Sequence, residues 1–514
     1  MHRSGPVRRM LHTNGRSQRL RHAVVLGALG SLMLSGCTWM TLVAQEDGMD
    51  FHLGYVTVSA DGLHLAYQDS LVGEPNQASI GIRDLRTGSE SFIYHASQPS
   101  LDHDGRLVGY TKWPGLTHTQ VYVRNQLNGT DVLVSANVRG TIGSGWSSEP
   151  AMSWDGTHTA FASSSTDLVS DGGSGQYDIY VRQNLAPKST VRASVSTTGA
   201  EPDGPSAWPA MSRTGRYVVF ESTATNLAAG DQNGLSDVFV RDLESNATTR
   251  VSIGVTGGDP DGESHRPSIS ADGRYVAFSS NASNLVVGDT NGAGDIFVRD
   301  LLTGTTRRAS VDSVGAEANG GSSSPSMSGN GSSVTFYSGA TNLVSGDTNS
   351  VADVFVRDLT RDTTTRVSLD PEEQQGNGDS YGPSLSFTGS IVGFVSKATN
   401  LIPGDPRSKE FVIARAVAAP TVTGVNPTTS PPGSKLTITI RGTGFTPTSS
   451  VITDGSRGLT VDSVSFVSAT ELQASITIDP ATTSGPRSII VATPGPGPGV
   501  LPASYGACSC FVVT

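Results

Sequence analysis

The sequence predicts an all-β protein, and three observations carry that reading. The 514 residues include 60 Gly and 27 Pro, rich in turn formers yet below the fraction that marks low-complexity chains. A cassette of short alternating strands recurs at a period of 58 residues. The last 95 residues carry short strands with turn signals every 8–12 residues, the spacing of a small β-sandwich. The formal net charge of −11 argues against a nucleic-acid partner, since a polyphosphate needs a basic face.

Residues 1–36 hold Arg3, Arg8, Arg9, Arg16, Arg19 and Arg21 and no acid. An apolar run from Ala23 to Met33 follows, 11 residues long and too short to span a bilayer, which takes about 20. Basic, apolar and small-residue segments in that order read as a signal peptide. Its end, Leu34-Ser-Gly-Cys37, resembles the lipobox of bacterial lipoproteins, which implies acylation of Cys37 and membrane attachment through lipid alone. Removing the segment takes the formal charge from −11 to −17. Cys508 and Cys510 stand at i, i+2 on a strand, where a disulfide is strained, and read as structural.

Three stretches align without gaps: 209–220, Pro267-Ser-Ile-Ser-Ala-Asp-Gly-Arg-Tyr-Val-Ala-Phe278, and 325–336. Turn dipeptides at Asp61-Gly62, Asp104-Gly105, Asp155-Gly156, Thr214-Gly215, Asp272-Gly273, Asn330-Gly331 and Thr388-Gly389 mark seven units. Each unit reads as four strands. A small-residue strand enters the turn, one like Tyr275-Val-Ala-Phe278 leaves it, and ones like Asp295–Leu301 and Thr306–Val311 follow. Four-stranded units repeated around a circle are propeller blades, so residues 49–418 are expected to form a seven-bladed β-propeller. The last unit stops after its third strand, 411–417, and Thr41–Glu46, in the tether 37–48, is expected to supply the fourth and close the ring.

The strings Ser-x-Asp-Gly-Arg-Tyr-Val-Ala-Phe and Asp-Ile-Phe-Val-Arg-Asp-Leu resemble the WD40-like repeats of TolB-type propellers. Gly442-Thr-Gly-Phe445, after the alternating strand Leu436–Ile440, resembles the IPT/TIG immunoglobulin-like domain, expected over 420–514. That resemblance implies a spacer or binding module, with Pro494–Gly499 a loop between its last strands.

Two groups of residues invite a functional reading. The connections between strands two and three read Asp231-x-Asn233-Gly-x-x-Asp237, Asp289-x-Asn291-Gly-x-x-Asp295 and Asp347-x-Asn349-Ser-x-x-Asp353. Each offers three oxygen ligands, half a Ca²⁺ shell, without the bidentate Glu of an EF-hand; the alternative is that these side chains cap turns. The second group precedes each first-strand Pro. There Ser recurs, and the next two positions vary, giving Glu149, Trp208, His265, Arg266 and Tyr381. Innermost strands would place these around the channel mouth, a surface suited to a sugar or peptide.

Catalytic motifs are not prominent. The sequence has no Gly-x-Ser-x-Gly and no His-Glu-x-x-His, and 95 residues cannot house a hydrolase domain. The leading expectation is an exported, lipid-anchored, monomeric binding or scaffold protein for a protein or glycan ligand. An envelope enzyme acting on polysaccharide in the channel, and a structural component of the TolB-like kind, stay open.

Overall fold

The computed structural model describes residues 40–45 and 51–514, apart from 72–77, 86, 114, 116–117, 186–187, 371–372, 403–409, 418–420, 444, 446–448, 454–457, 469 and 494–503. The expected signal segment 1–36, Cys37 and the loop 494–499 lie outside the described residues, as do the side chains of Cys508 and Cys510. All regular elements among the described residues are strands, and none of them includes a helix long and apolar enough to cross a membrane.

Residues 40–416 form seven four-stranded antiparallel sheets. The fifth shows why the cassette folds this way. Its strands are Ser264–Ile269, Tyr275–Ser280, Asp295–Asp300 and Thr305–Arg308. The first pair is joined at Asp272-Gly273, where Asp272 Oδ1 accepts the Arg274 amide (3.0 Å) and Gly273 adopts φ +78°. A Cβ at residue 273 would lie 2.1 Å from Tyr217 of the preceding sheet, so this turn needs glycine for both conformation and approach. The middle strands are buried on both faces and carry Phe278 opposite Phe297, ring centroids 5.9 Å apart. Phe220–Phe239 and Phe336–Phe355 repeat this pair in the sheets before and after.

Neighbouring sheets share their cores. Val219 and Val240 of the fourth pack with Phe278 and Phe297 of the fifth. The first strands touch in chain order, and Ser380–Leu385 of the seventh sheet touches Phe51–Val58 of the first. Backbone hydrogen bonds between hairpins follow the same circuit. They run Asp61 N to His103 O (3.0 Å), His103 N to Trp154 O (2.8 Å), Asp155 N to Arg213 O (3.1 Å) and Arg213 N to Ala271 O (3.0 Å). The circuit continues Ala271 N to Gly329 O (2.9 Å), Asn330 N to Phe387 O (3.2 Å), and Phe387 N back to Ala60 O (2.9 Å). Repeated four-stranded sheets in such a circuit have the architecture of a β-propeller.

The outermost strand of the seventh sheet comes from the other end of the chain. Met40–Gln45 pairs with Phe411–Ala416, from Met40 opposite Arg415 to Gln45 opposite Phe411. At the hairpin end the central channel is closed by Trp154 and Phe387, edge to face at 5.3 Å. Gly329 makes room for them, since a Cβ there would sit 2.0 Å from Trp154. Beyond this plug lies a cavity of about 160 Å³, lined by small residues such as Ser100, Ala151, Ala210, Ser268 and Ser326.

The C-terminal region is a β-sandwich of two four-stranded sheets. One contains Lys435–Thr443 and Glu471–Ile478, the other Gly485–Thr493 and Ser504–Val513. Ile438, Ile440, Leu472 and Ile476 of the first meet Ile489, Val491 and Phe511 of the second in one core. Phe445, from the Gly-Thr-Gly-Phe string, is fully buried in it.

Candidate functional site

The acidic loops of the rim are organised around arginine. Arg308, the last residue of its strand, places Nη1 3.2 Å from Asp289, 3.1 Å from Asp295 and 2.7 Å from Glu317. Arg250 does the same for Asp231 (3.3 Å), Asp237 (3.4 Å) and Asp259 (2.5 Å). Arg366 faces Asp347 and Asp353, both at 3.1 Å, and Arg192 joins Asp178 and Glu201. The asparagines fasten the loops. Asn233 Oδ1 accepts the Leu235 amide (2.9 Å), while its Nδ2 donates to Asp237 (3.3 Å) and to the Pro260 carbonyl (3.1 Å). Asn291 and Asn349 repeat this pattern.

The oxygens expected to hold calcium therefore already surround a guanidinium. Each Asn turns its nitrogen, not its oxygen, toward the neighbouring Asp. The carboxylates and amides of Asp231, Asn233, Asp237, Asp289, Asn291, Asp295, Asp347, Asn349 and Asp353, expected as calcium ligands, are thus engaged with arginine and with the loops, and among the described residues no group of three or more His, Cys, Asp or Glu is arranged to hold a metal ion. Burial outweighs the Arg250 charge at Asp237 and pushes its carboxyl up to about 6; burial does the same at Asp178.

The mouth is built differently. Each first strand slips register against the second, as between His265 and Ser268 or Ala207 and Ala210, forming a bulge. Seven positions before each turn glycine the backbone is left-handed: Tyr55 (φ 45°), Gln98 (54°), Glu149 (56°), Trp208 (50°), Arg266 (51°), Ser324 (52°) and Gly382 (59°). Six of these seven residues carry a Cβ, for which this conformation costs roughly 1–2 kcal/mol. Bulge amides find acceptors on the preceding sheet. Gln68 Oε1 takes Gln98 N (3.0 Å), Gln98 Oε1 takes Glu149 N (3.1 Å), Glu149 Oε2 takes Trp208 N (2.7 Å), and Glu221 Oε2 takes Arg266 N (2.8 Å).

Side chains from distant sheets meet here. Trp208 stacks with Tyr55 across the ring, centroids 6.4 Å apart and planes within 13°. The Arg266 guanidinium lies over the Trp208 ring at 4.8 Å and donates to Ser324 Oγ (2.9 Å). His265 sits 3.5 Å from Glu221 and 3.3 Å from Glu263, and the Glu221 bond holds its pKa above the usual imidazole value. Burial pushes the Glu149 carboxyl up. The structure thus brings Glu149, Trp208, Arg266 and His265 together. Tyr381 stands one residue before the bulge position, where its hydroxyl donates to Glu410 (2.5 Å) and its ring packs half-buried between sheets. Tyr55, 46% exposed, was missed by sequence reasoning. The recurring Ser residues are structural, as in the Ser264–Ser280 hydroxyl pair at 2.9 Å.

A β-propeller with a C-terminal β-sandwich is the class of protein these features define. The IPT/TIG domain family matches residues 420–505. No curated protein matches the chain. Among solved structures, TolB from Acinetobacter baumannii is 15% identical, with 62% of this chain and 79% of that one covered and a TM-score of 0.35. The β-propeller domain of the Trilobed protease from Pyrococcus furiosus is 11% identical over 71% of this chain and 93% of that one, TM-score 0.45. An oligogalacturonate lyase in complex with manganese is 11% identical over 75% and 96%, TM-score 0.46. Likeness at this level concerns the fold and says nothing of a ligand.

Proposed function

We propose that this chain is an exported, lipid-anchored, monomeric binding protein. In this reading the seven sheets are the blades of one closed seven-bladed propeller, the mouth holds a protein or glycan ligand, and the sandwich is a spacer or second contact. One observation carries it: a strained backbone position recurs in every sheet, yet presents Tyr, Gln, Glu, Trp, Arg, Ser and Gly in turn. Strain that the fold maintains while the side chain changes belongs to a surface used for recognition. The arginine-rich leader ending at Cys37 supports export and acylation. The test is a screen of glycan and peptide arrays with the native protein and with Trp208→Ala/Arg266→Ala. Ligands of the native protein should weaken about thirtyfold or more in the double variant, as for an aromatic–arginine pair that a ligand covers. Unchanged affinity at equal melting temperature rejects the site.

A further inference from the structure

We propose that the mouth continues into a second aromatic platform, formed by Trp113, His118 and Trp146, and that the ligand spanning both is an oligosaccharide of neutral or amino sugars. This rests on the mouth being a binding site.

The platform is built where two sheets meet. Trp113 follows the strand Leu107–Lys112, and His118 closely precedes Gln120–Asn125 of the same sheet. Trp146 immediately precedes Ser147–Met152 of the next. Trp146 meets Trp113 edge to face at 5.1 Å and His118 at 5.3 Å. Backbone bonds hold the pieces: Ser147 N to Thr119 O (3.0 Å) and Trp146 N to Ser164 Oγ (3.1 Å). Trp146 is 37% exposed, a large fraction for a residue type that usually buries most of its surface.

This platform adjoins the mouth. Trp146 lies three residues before Glu149 on one extended segment, about 10 Å at the rise of a strand. Tyr177, also 37% exposed, accepts the Ser206 amide through its carbonyl (2.7 Å), two residues before Trp208. Three of the chain's five tryptophans, Trp113, Trp146 and Trp208, therefore stand on this one face.

The chemistry favours sugar. Rigid aromatic faces carry negative quadrupole density that attracts the C–H faces of pyranose rings, and little side-chain entropy is lost on binding. Glu149, three residues from Trp146 and bonded through Oε2 to the Trp208 amide, offers its other carboxylate oxygen to a hydroxyl group. An extended peptide is less well served. Its usual mode is main-chain pairing with strand edges, and the bulge amides of Gln98, Glu149, Trp208 and Arg266 already have side-chain partners. A polyanion meets Glu149, Glu221 and Glu263 against Arg266, on a chain of net charge −11.

The experiment titrates the full chain by calorimetry with trimers and hexamers of β-1,4-linked glucose, N-acetylglucosamine, glucosamine and galacturonate, and with a lysine-rich decapeptide. At least one of the first three sugars should bind, its hexamer about tenfold tighter than its trimer. Trp146→Ala should bring the hexamer to the trimer's affinity and leave the trimer unchanged; Trp113→Ala serves if that variant melts early. Equal trimer and hexamer affinities, still abolished by Trp208→Ala, overturn the second platform while leaving the mouth as a site. Binding of galacturonate or the peptide alone, or of none of the probes, overturns the ligand class.

Discussion

The rim clusters and the mouth ring occupy corresponding places in successive sheets, yet they solve opposite problems. In the rim the same residues recur: Asp289, Asp295 and Arg308 stand as Asp231, Asp237 and Arg250 do one sheet earlier. Every charge there faces another charge of the same sheet or its connection. At the mouth the backbone recurs and the side chains do not, so Trp208 meets Tyr55 from three sheets away and Arg266 stacks upon it. Repetition of side chains marks what each sheet needs for itself. Repetition of a strained backbone under changing side chains marks what the ring offers outward.

The largest expected effect breaks the rim. Arg308→Met leaves the buried Asp289 and Asp295 without their common cation, and urea unfolding should show a loss of about 3–5 kcal/mol. A loss under about 1 kcal/mol would mean that solvent, not the guanidinium, stabilises these acids.

At the mouth, backbone strain can be read alone. A Cβ on Gly382 would have no heavy atom within 4 Å, so Gly382→Ala measures conformation only and should cost about 1–2 kcal/mol. Ser324→Gly should stabilise by about 1 kcal/mol less whatever its bond from Arg266 contributes. A neutral Gly382→Ala together with a Ser324→Gly that fails to stabilise would remove the strain argument.

A smaller effect appears with pH. The buried Asp237 carboxyl binds its proton up to about 6, against an ordinary value of 3.8, so the stability it contributes is full below 3.8 and is lost as pH rises through 6. Asp242 and Asp300 work in the opposite sense. Arg216 and Arg274 hold them well below the usual carboxylate range, so their contribution is present above 3.8 and fades only in stronger acid. Melting temperatures of Asp237→Asn and the native protein should therefore diverge in favour of the variant between pH 4.5 and 7. The smallest effect is expected from metal removal. Excess EDTA should leave the melting temperature where it was, because guanidinium groups already fill the rim clusters.

Much of this was legible in the sequence. The turn glycines mark each of the seven repeated sheets, the 58-residue period links the last four, and the missing fourth strand of the last unit points to residues 41–46. Tyr55 escaped because the first unit has Val56 where Pro209 follows Trp208 and Pro325 follows Ser324, yet it stands seven residues before Gly62 as Trp208 stands before Gly215. The arginines were equally visible: Arg250, Arg308 and Arg366 each follow Asp237, Asp295 and Asp353 by 13 residues, a compensating charge at fixed spacing. What no pattern carried was the left-handed backbone of the mouth. Residues such as Glu149 and Arg266 have no preference for it, and only Gly382 hints that the position is unusual.

The strand Met40–Gln45 has a consequence in time. Its partner, Phe411–Ala416, is made about 365 residues later. At ribosomal speed that is a wait of roughly 20–70 s, during which the earliest strand has no place to go. Pairing of the first strand is thus tied to synthesis of residues 411–416, and a nascent polypeptide that stops before them leaves Met40–Gln45 without its partner.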